Sequence, residues 1–203
     1  MSESWATLTN MAESAARGGK YDEAKDCYKR ALAEAEARGD VHNAYYTKCN
    51  FGALLRLLDD YAQAEQLLKE ATRLRHDYPQ QLALEPVSPF SDLERILVKQ
   101  NRLPEVEQLY SIDANKMLAV YGRDSFECKM SLMNLAKFYG THLKDMEKCK
   151  AYFREVLDWS NTAEPVTRKM IYMNYDSVLR GAGLNAEADA AQQALTALQS
   201  GAT

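Results

Sequence analysis

The sequence has little material for turns, since only 5 prolines and 9 glycines occur among its 203 residues. Alanine, leucine, glutamate, glutamine, lysine and arginine are abundant instead, and these residues lose little conformational freedom on entering a helix. With 46% hydrophobic and 27% charged residues, the chain can form a core and is not compositionally disordered. The composition therefore predicts an all-α protein.

Signals for membranes, secretion and nucleic acid are also missing. No stretch approaches the roughly 18–20 apolar residues that a membrane-spanning helix needs. The first twenty residues lack the basic segment followed by an apolar segment that marks a secretory signal. A net charge of −4 argues against general electrostatic capture of nucleic acid. We therefore expect a cytoplasmic protein that binds neither nucleic acid nor membranes.

Features of catalytic and metal sites are scarce as well. The 4 cysteines are scattered without a Cys-x-x-Cys pair, and none of the 3 histidines lies three or four residues from another histidine or a cysteine. The motifs GxxxxGK[ST], GxGxxG and GxSxG do not occur, so a phosphate-binding loop and a nucleophile elbow have no scaffold. We expect mostly buried, reduced thiols, no metal, no cofactor and no enzymatic activity.

What the sequence does contain is an internal repeat. Residues 18–32 read GGKYDEAKDCYKRAL, and residues 58–72 read LDDYAQAEQLLKEAT. Both place an aromatic residue first, a small residue three positions later, a large apolar residue four further on and an alanine three beyond that. Weaker copies follow, and the anchors are spaced by 40, 42, 43 and 38 residues at Tyr21, Tyr61, Leu103, Met146 and Leu184. Periods of this size indicate a repeat architecture.

Each copy follows a second amphipathic segment, such as the one before Tyr61, which has apolar or small residues at helical spacing at Phe51, Gly52 and Leu55. The repeating unit is therefore a helix, a tight turn and a second helix, and the Gly-Gly and Asp-Asp pairs at the start of the two clearest copies are typical of such a turn. Alanines at Ala24 and its equivalents allow the two helices to approach closely. Because one such unit cannot bury its apolar face alone, units must stack into a solenoid.

The pattern resembles the tetratricopeptide repeat family. Hallmark small and large residues of that family match in the first two repeats at Leu8, Met11, Ala12, Tyr21, Ala24, Tyr28, Ala31, Phe51, Gly52, Leu55, Tyr61, Ala64, Leu68 and Ala71. The observed spacings exceed the usual 34 residues and are similar to the longer repeats of kinesin light chains. The resemblance implies a right-handed α-solenoid in a single domain spanning 1–203, with repeats at about 4–39, 40–78, 87–121, 124–160 and 164–199. Its third repeat is irregular, and the prolines between 78 and 89 predict a bent connection there.

The resemblance also implies that the first helix of each repeat lines a concave groove. One aligned groove position holds Asn10, Asn50, Asp92, Asn134 and Asn174. These asparagines either cap and bridge helices or form a row of amides that hydrogen-bonds the backbone of an extended peptide, a task that suits a group with two donors and an acceptor. Further expected peptide-binding positions are Tyr46, Arg56, Arg95, Lys99, Met133, Lys137 and Met173.

The groove positions implied by the resemblance carry an excess of positive charge. Six cations, at Arg17, Arg56, Arg95, Lys99, Lys137 and Arg180, stand against Glu13 and Asp92. Such a row is either an ordinary solvated face or a basic groove that favours an acidic peptide. Cys49 also falls at a groove position, where it is either a redox-sensitive thiol or a buried bystander. The chaperone-binding carboxylate clamp of the family is excluded, because Thr9, Glu13 and Ser91 stand where that clamp needs Lys or Asn.

The sequence thus predicts an adaptor that binds a protein or peptide ligand, with an acidic segment preferred. One alternative is a self-assembly module that dimerises through its C-terminal repeat, since Leu195 and Leu198 lie on one face of an alanine-rich final helix. Another is a regulatory sensor that encloses a small signalling peptide.

Overall fold

The computed structural model describes residues 3–82 and 87–200, and the chain divides into two compact units, Met1–Arg102 and Leu103–Thr203. In the first unit, the helices are α1 (Trp5–Arg17), α2 (Tyr21–Ala37), α3 (Val41–Leu57), α4 (Tyr61–Asp77), the single turn α5 (Pro79–Leu82) and α6 (Phe90–Lys99). Helices α1 and α2 form one antiparallel pair, α3 and α4 form the next, and α6 packs on α3 and α4. The described part of this unit is therefore a stack of helices in two layers.

The tight turns follow the predicted turn chemistry. Gly19, between α1 and α2, and Asp59, between α3 and α4, both have positive φ angles, of 73° and 61°. Glycine adopts this left-handed conformation without strain, and Asp and Asn tolerate it better than most residues. Asp60 then accepts a hydrogen bond from the backbone N–H of Gln63, which caps the first turn of α4.

The small residues of the repeat are where the helices of a pair touch. Ala24 and Ala31 in α2 and Ala64 and Ala71 in α4 are fully buried. Larger side chains at these positions would push the helix axes apart. The close packing predicted from the alanine pattern is therefore confirmed.

The C-terminal end of the first unit has its own apolar cluster. Tyr45, Cys49, Ala71 and Leu82 are buried together, and the Tyr45 hydroxyl donates to the carbonyl of Val87. The bend expected between 78 and 89 falls partly on residues 83–86, which lie outside the described residues.

The second unit has the same plan. Its helices are α7 (Leu103–Tyr121), α8 (Phe126–Phe138), α9 (Met146–Ser160), α10 (Pro165–Gly181) and α11 (Asn185–Ser200), with one turn of π-helix at Tyr139–Leu143. Helix α8 packs against α7, α9 and α10, and α10 packs against α11. Pro165 occupies the first position of α10, where its missing N–H costs no hydrogen bond.

The π-helical turn brings the chain close to α9 and α10. A side chain at Gly140 would collide with Val178 of α10 and Cys149 of α9, so only glycine fits between them. Burial raises the pKa of the Cys149 thiol to about 11, which keeps it protonated and unreactive at neutral pH.

The two leucines of the final helix are largely covered within the unit. Leu195 is buried and Leu198 is half-buried, while Asp189, Gln192 and Thr196 are exposed. A polar outer surface is what a terminal repeat requires. Of the two leucines on which the self-assembly alternative rested, Leu195 is therefore covered within the unit and Leu198 is partly accessible.

Candidate peptide-binding faces

Helices α1 and α3 are joined by polar contacts along one side of the first unit. The Trp5 indole N–H donates to the Thr47 hydroxyl at 2.8 Å, and the Tyr46 hydroxyl donates to Glu13 at 2.9 Å. The Trp5 and Tyr46 rings meet edge to face at 5.7 Å. Tyr46, an expected groove residue, is therefore held in place by two contacts with α1 and remains half-buried.

Helix α3 is joined to α6 by an ion pair. Arg56 donates from Nε to Asp92 at 2.6 Å, and both side chains are only 18% exposed. A charge-assisted bond of this length fixes the two helices side by side. These contacts join α1, α3 and α6, and we call the expected groove positions of the three helices the unit-one face; they are Asn10, Tyr46, Asn50, Arg56, Arg95 and Lys99.

Two of the predicted asparagines have the same local geometry. Asn50 donates from its amide to the carbonyl of Tyr46 at 3.2 Å, and Asn174 donates to the carbonyl of Met170 at 2.8 Å. Each bond lies within one helix and neither caps nor bridges two helices. It orients the amide and leaves one N–H and the carbonyl oxygen for another partner. Asn10 is exposed and Asn134 is partly exposed on α1 and α8.

Half of the predicted cation row is already paired with acids. Besides the Arg56 pair, Lys99 lies 3.3 Å from Asp59. In the second unit, Arg180 contacts two aspartates of α10 and α11. These pairs cancel part of the positive charge expected from the sequence. Asp92 is itself a groove position, whereas Asp59 lies in a turn and Asp189 in the second helix α11, outside the groove positions.

Three cations of the row are less engaged. The Arg17 side chain is 74% exposed and reaches Glu13 only at 3.8 Å. The Arg95 side chain is 66% exposed and reaches Asp92 only at 3.8 Å, while Asp92 already accepts a closer bond from α3. Lys137, partly exposed on α8, has no carboxylate within 4.0 Å in the part of the chain that the structure describes. Arg17, Arg95 and Lys137 are therefore the groove cations best placed to meet an external acid.

The second unit presents a more apolar surface on α8 and α10, the unit-two face; its expected binding residues are Asn134, Lys137, Met173 and Asn174. Met173 is 57% exposed, and Val166 and Met170 lie on the same side of α10. Met133 is a correction: it is only 6% exposed and belongs to the core. Its burial follows from the packing of α8 against three helices, α7, α9 and α10.

Cys49 is also removed from the candidate surface. It is 4% exposed in the apolar cluster with Tyr45, Ala71 and Leu82, which agrees with a buried bystander. Within residues 3–82 and 87–200, no group of three His, Cys, Asp or Glu side chains is arranged to hold a metal ion. No helix within these ranges has both the length and the apolar character needed to cross a membrane.

Solved structures resemble this fold. BtubC (BKLC) from P. vanneervenii superposes with a TM-score of 0.68 at 15% identity, covering 96% of this chain and 79% of that chain. A candidate kinesin light chain from Podosopora anserina, with nearly identical TPR-like repeats, gives 0.66 at 14% identity over 98% of this chain and 96% of that chain. A variant of that protein gives 0.68 at 14% identity over 97% and 95%.

At these identities the likeness shows the fold, and it confirms the predicted all-α arrangement of helical repeats similar to those of kinesin light chains. No curated protein matches the sequence. Two models of the tetratricopeptide repeat do match, one over residues 5–76 and the other over residues 131–162, which together make up just over half of the chain. The chain belongs to the tetratricopeptide repeat family.

Proposed function

We propose that this protein is a non-catalytic cytoplasmic adaptor whose first helices bind an extended segment of another protein. The observation that carries the proposal is the recurrence of an asparagine on α1, α3, α8 and α10, with the amides of Asn50 and Asn174 held in the same orientation by their own helices. The family supplies the general role, since tetratricopeptide repeats are protein-interaction scaffolds.

Oriented amides suit an extended peptide because a peptide backbone repeats one donor and one acceptor per residue. An amide already bonded to its helix loses less freedom when it takes a further hydrogen bond than a mobile side chain would. Tyr46, fixed by Trp5 and Glu13, supplies a rigid aromatic surface next to Asn50. The unit-one face therefore combines backbone-reading amides with an aromatic contact.

An acidic preference rests on Arg17 and Arg95 in the first unit and on Lys137 in the second. The remaining cations of the row, Arg56, Lys99 and Arg180, are paired with acids of this chain, so they add little attraction for an external carboxylate. The bound segment therefore carries an acidic residue at one or two positions, and the residues beside it are bound through hydrogen bonds to their backbone.

Replacing both Asn50 and Asn134 with alanine is expected to weaken binding of a peptide held by either face about two- to tenfold, because the hydrogen bond lost at that face contributes about 0.5–1.5 kcal/mol. Ligands would first be selected from a displayed library of random peptides on the intact protein, and affinities then measured by calorimetry. The matched control is Asn115→Ala, since Asn115 is exposed on α7 and belongs to neither face.

The control variant is expected to bind like the unchanged protein. If the double variant keeps its helical circular dichroism and binds the selected peptides as tightly as the control, the asparagine row does not hold the ligand. Failure of the library to yield any peptide that competes at these faces would contradict the adaptor proposal itself.

Reversing the charge of Arg95 tests the acidic preference. Arg95→Glu is expected to lower affinity for acidic peptides by about three- to tenfold, because it replaces attraction by repulsion at a well-exposed site. Lys29→Glu makes the same change in net charge at an exposed position of α2, outside the unit-one face. An equal loss in both variants would show that only overall charge matters, and no loss in Arg95→Glu would remove the preference.

A further inference from the structure

A recess lies in the first unit, where the C-terminal ends of α2 and α4 meet the beginning of α3. It has a volume of about 270 Å³. Small side chains create the space, because Ala35, Gly39 and Ala44 line it without filling it. Val41, Leu74 and Tyr78 form its apolar walls, and Glu36, Asp40 and Lys48 supply its polar atoms.

The ammonium group of Lys48 is not available to a ligand. Lys48 is 7% exposed, and its Nζ lies 2.7 Å from Glu36 and 2.6 Å from Glu70. Burial alone would lower the pKa of Lys48, but the hydrogen bonds from these two carboxylates outweigh it and raise the pKa. The lysine therefore stays charged and neutralises part of the acidic lining, so the recess offers no site for an anion.

The charge that remains is negative. Among the lining side chains, Glu36 and Asp40 are two carboxylates against the ammonium of Lys48, which Glu70 from outside the lining also helps to neutralise. Glu36 is 52% exposed at its side chain, and only one of its oxygens is bonded to Lys48. The C-terminal ends of α2 and α4 add partial negative charge, and the N-terminus of α3 offsets one of these two contributions. A cation is therefore the complementary ligand.

We propose that this recess receives an arginine side chain of a partner protein. The aliphatic stem of arginine fits against Val41 and Leu74, and its planar guanidinium can lie over the ring of Tyr78 while it donates to Asp40 or Glu36. Tyr78 is 40% exposed, so its ring is accessible. The fork of guanidinium donors matches carboxylates better than a lysine ammonium does.

This arginine site is distinct from the unit-one face. Lys48 and Asn50 are two residues apart on α3, so their side chains project about 200° apart around the helix. The recess therefore binds on the other side of α3 from the asparagine row, and a ligand there does not compete with a peptide on the unit-one face.

The test is a titration of the ¹⁵N-labelled protein with acetyl-arginine amide, followed by amide chemical shifts. Saturable shifts are expected at Gly39, Asp40 and Tyr78, with affinity in the millimolar range for one side chain. Acetyl-citrulline amide has nearly the same shape without the charge, and it is expected to bind at least about threefold more weakly, which is the scale of one exposed ion pair. Equal shifts with both probes, or no saturable shift, would overturn the proposal.

Two variants localise the effect. Asp40→Asn removes the charge but keeps a good helix cap for α3, and it is expected to weaken arginine binding. Asp26→Asn makes the same change on α2 outside the recess and is expected to have no effect. Tyr78→Leu, which removes the aromatic wall, provides an independent check if Asp40→Asn unfolds. Arginine binding that survives both recess variants in folded protein would contradict the assignment.

Discussion

Replacing Glu155 with alanine is expected to lower the free energy of unfolding by about 2–3 kcal/mol, because it leaves a buried positive charge without its main partner. Lys129 of α8 is only 2% exposed, and its Nζ lies 2.9 Å from Glu155 of α9. Arg123 donates two hydrogen bonds to the same carboxylate, at 3.0 and 2.8 Å. These bonds, Arg123 first, hold the pKa of Glu155 below its usual value of 4.5.

Asp124 is the matched control for that substitution. It also faces Lys129, but at 3.6 Å and with a side chain that is 89% exposed. Asp124→Ala is therefore expected to change stability by less than about 1 kcal/mol, the usual contribution of a solvent-exposed pair. Urea unfolding followed by helical circular dichroism measures both variants under the same conditions.

A third variant separates the charge effect from lost packing. Lys129→Met combined with Glu155→Ala removes the buried charge and its partner together, so it is expected to be more stable than Glu155→Ala alone. A double variant that is less stable than Glu155→Ala would mean that Lys129 does not need Glu155 and that the destabilisation has another origin.

The repeat structure was predictable because it depends on local signals. Positive φ angles at Gly19 and Asp59 fall in the turns that the sequence indicated, and Ala24 and Ala64 are buried as the spacing required. Each of these signals involves residues within a few positions of one another, so no knowledge of distant contacts is needed.

The electrostatics of the surface could not be predicted in the same way. Asp59 and Asp189 neutralise cations that lie 40 and 9 residues away in the sequence. The spacing of residues within one helix cannot predict such pairs, because the two partners lie on different elements. Lys48 is an exception, because its need for carboxylate partners can be predicted from its position in the sequence. It lies three residues after Tyr45 and three before Phe51, on the buried stripe of α3, so a lysine there requires carboxylates from neighbouring helices.

Introducing one methyl group at Gly52 is expected to lower the free energy of unfolding by about 1–2 kcal/mol. A Cβ atom there would lie 2.7 Å from Cγ and 2.9 Å from Cδ2 of Leu68, which is fully buried on the facing helix α4. Overpacking of this kind costs about 1–3 kcal/mol, whereas alanine in place of a helical glycine returns at most about 1 kcal/mol. The strain therefore exceeds the gain in helix propensity.

Gly181→Ala provides the comparison, because Gly181 ends α10 with nothing within 4 Å of the added methyl group. This variant is expected to be as stable as the unchanged protein or slightly more stable, so any large loss in Gly52→Ala reflects contact with Leu68. Combining Gly52→Ala with Leu68→Ala relieves that contact. The double variant should therefore lose less stability than the sum of the losses of the two single variants. Additive losses of stability, measured by urea unfolding, would show that the α3–α4 contact does not require glycine. The presence of a small residue at Gly52 would then need an explanation other than contact with Leu68.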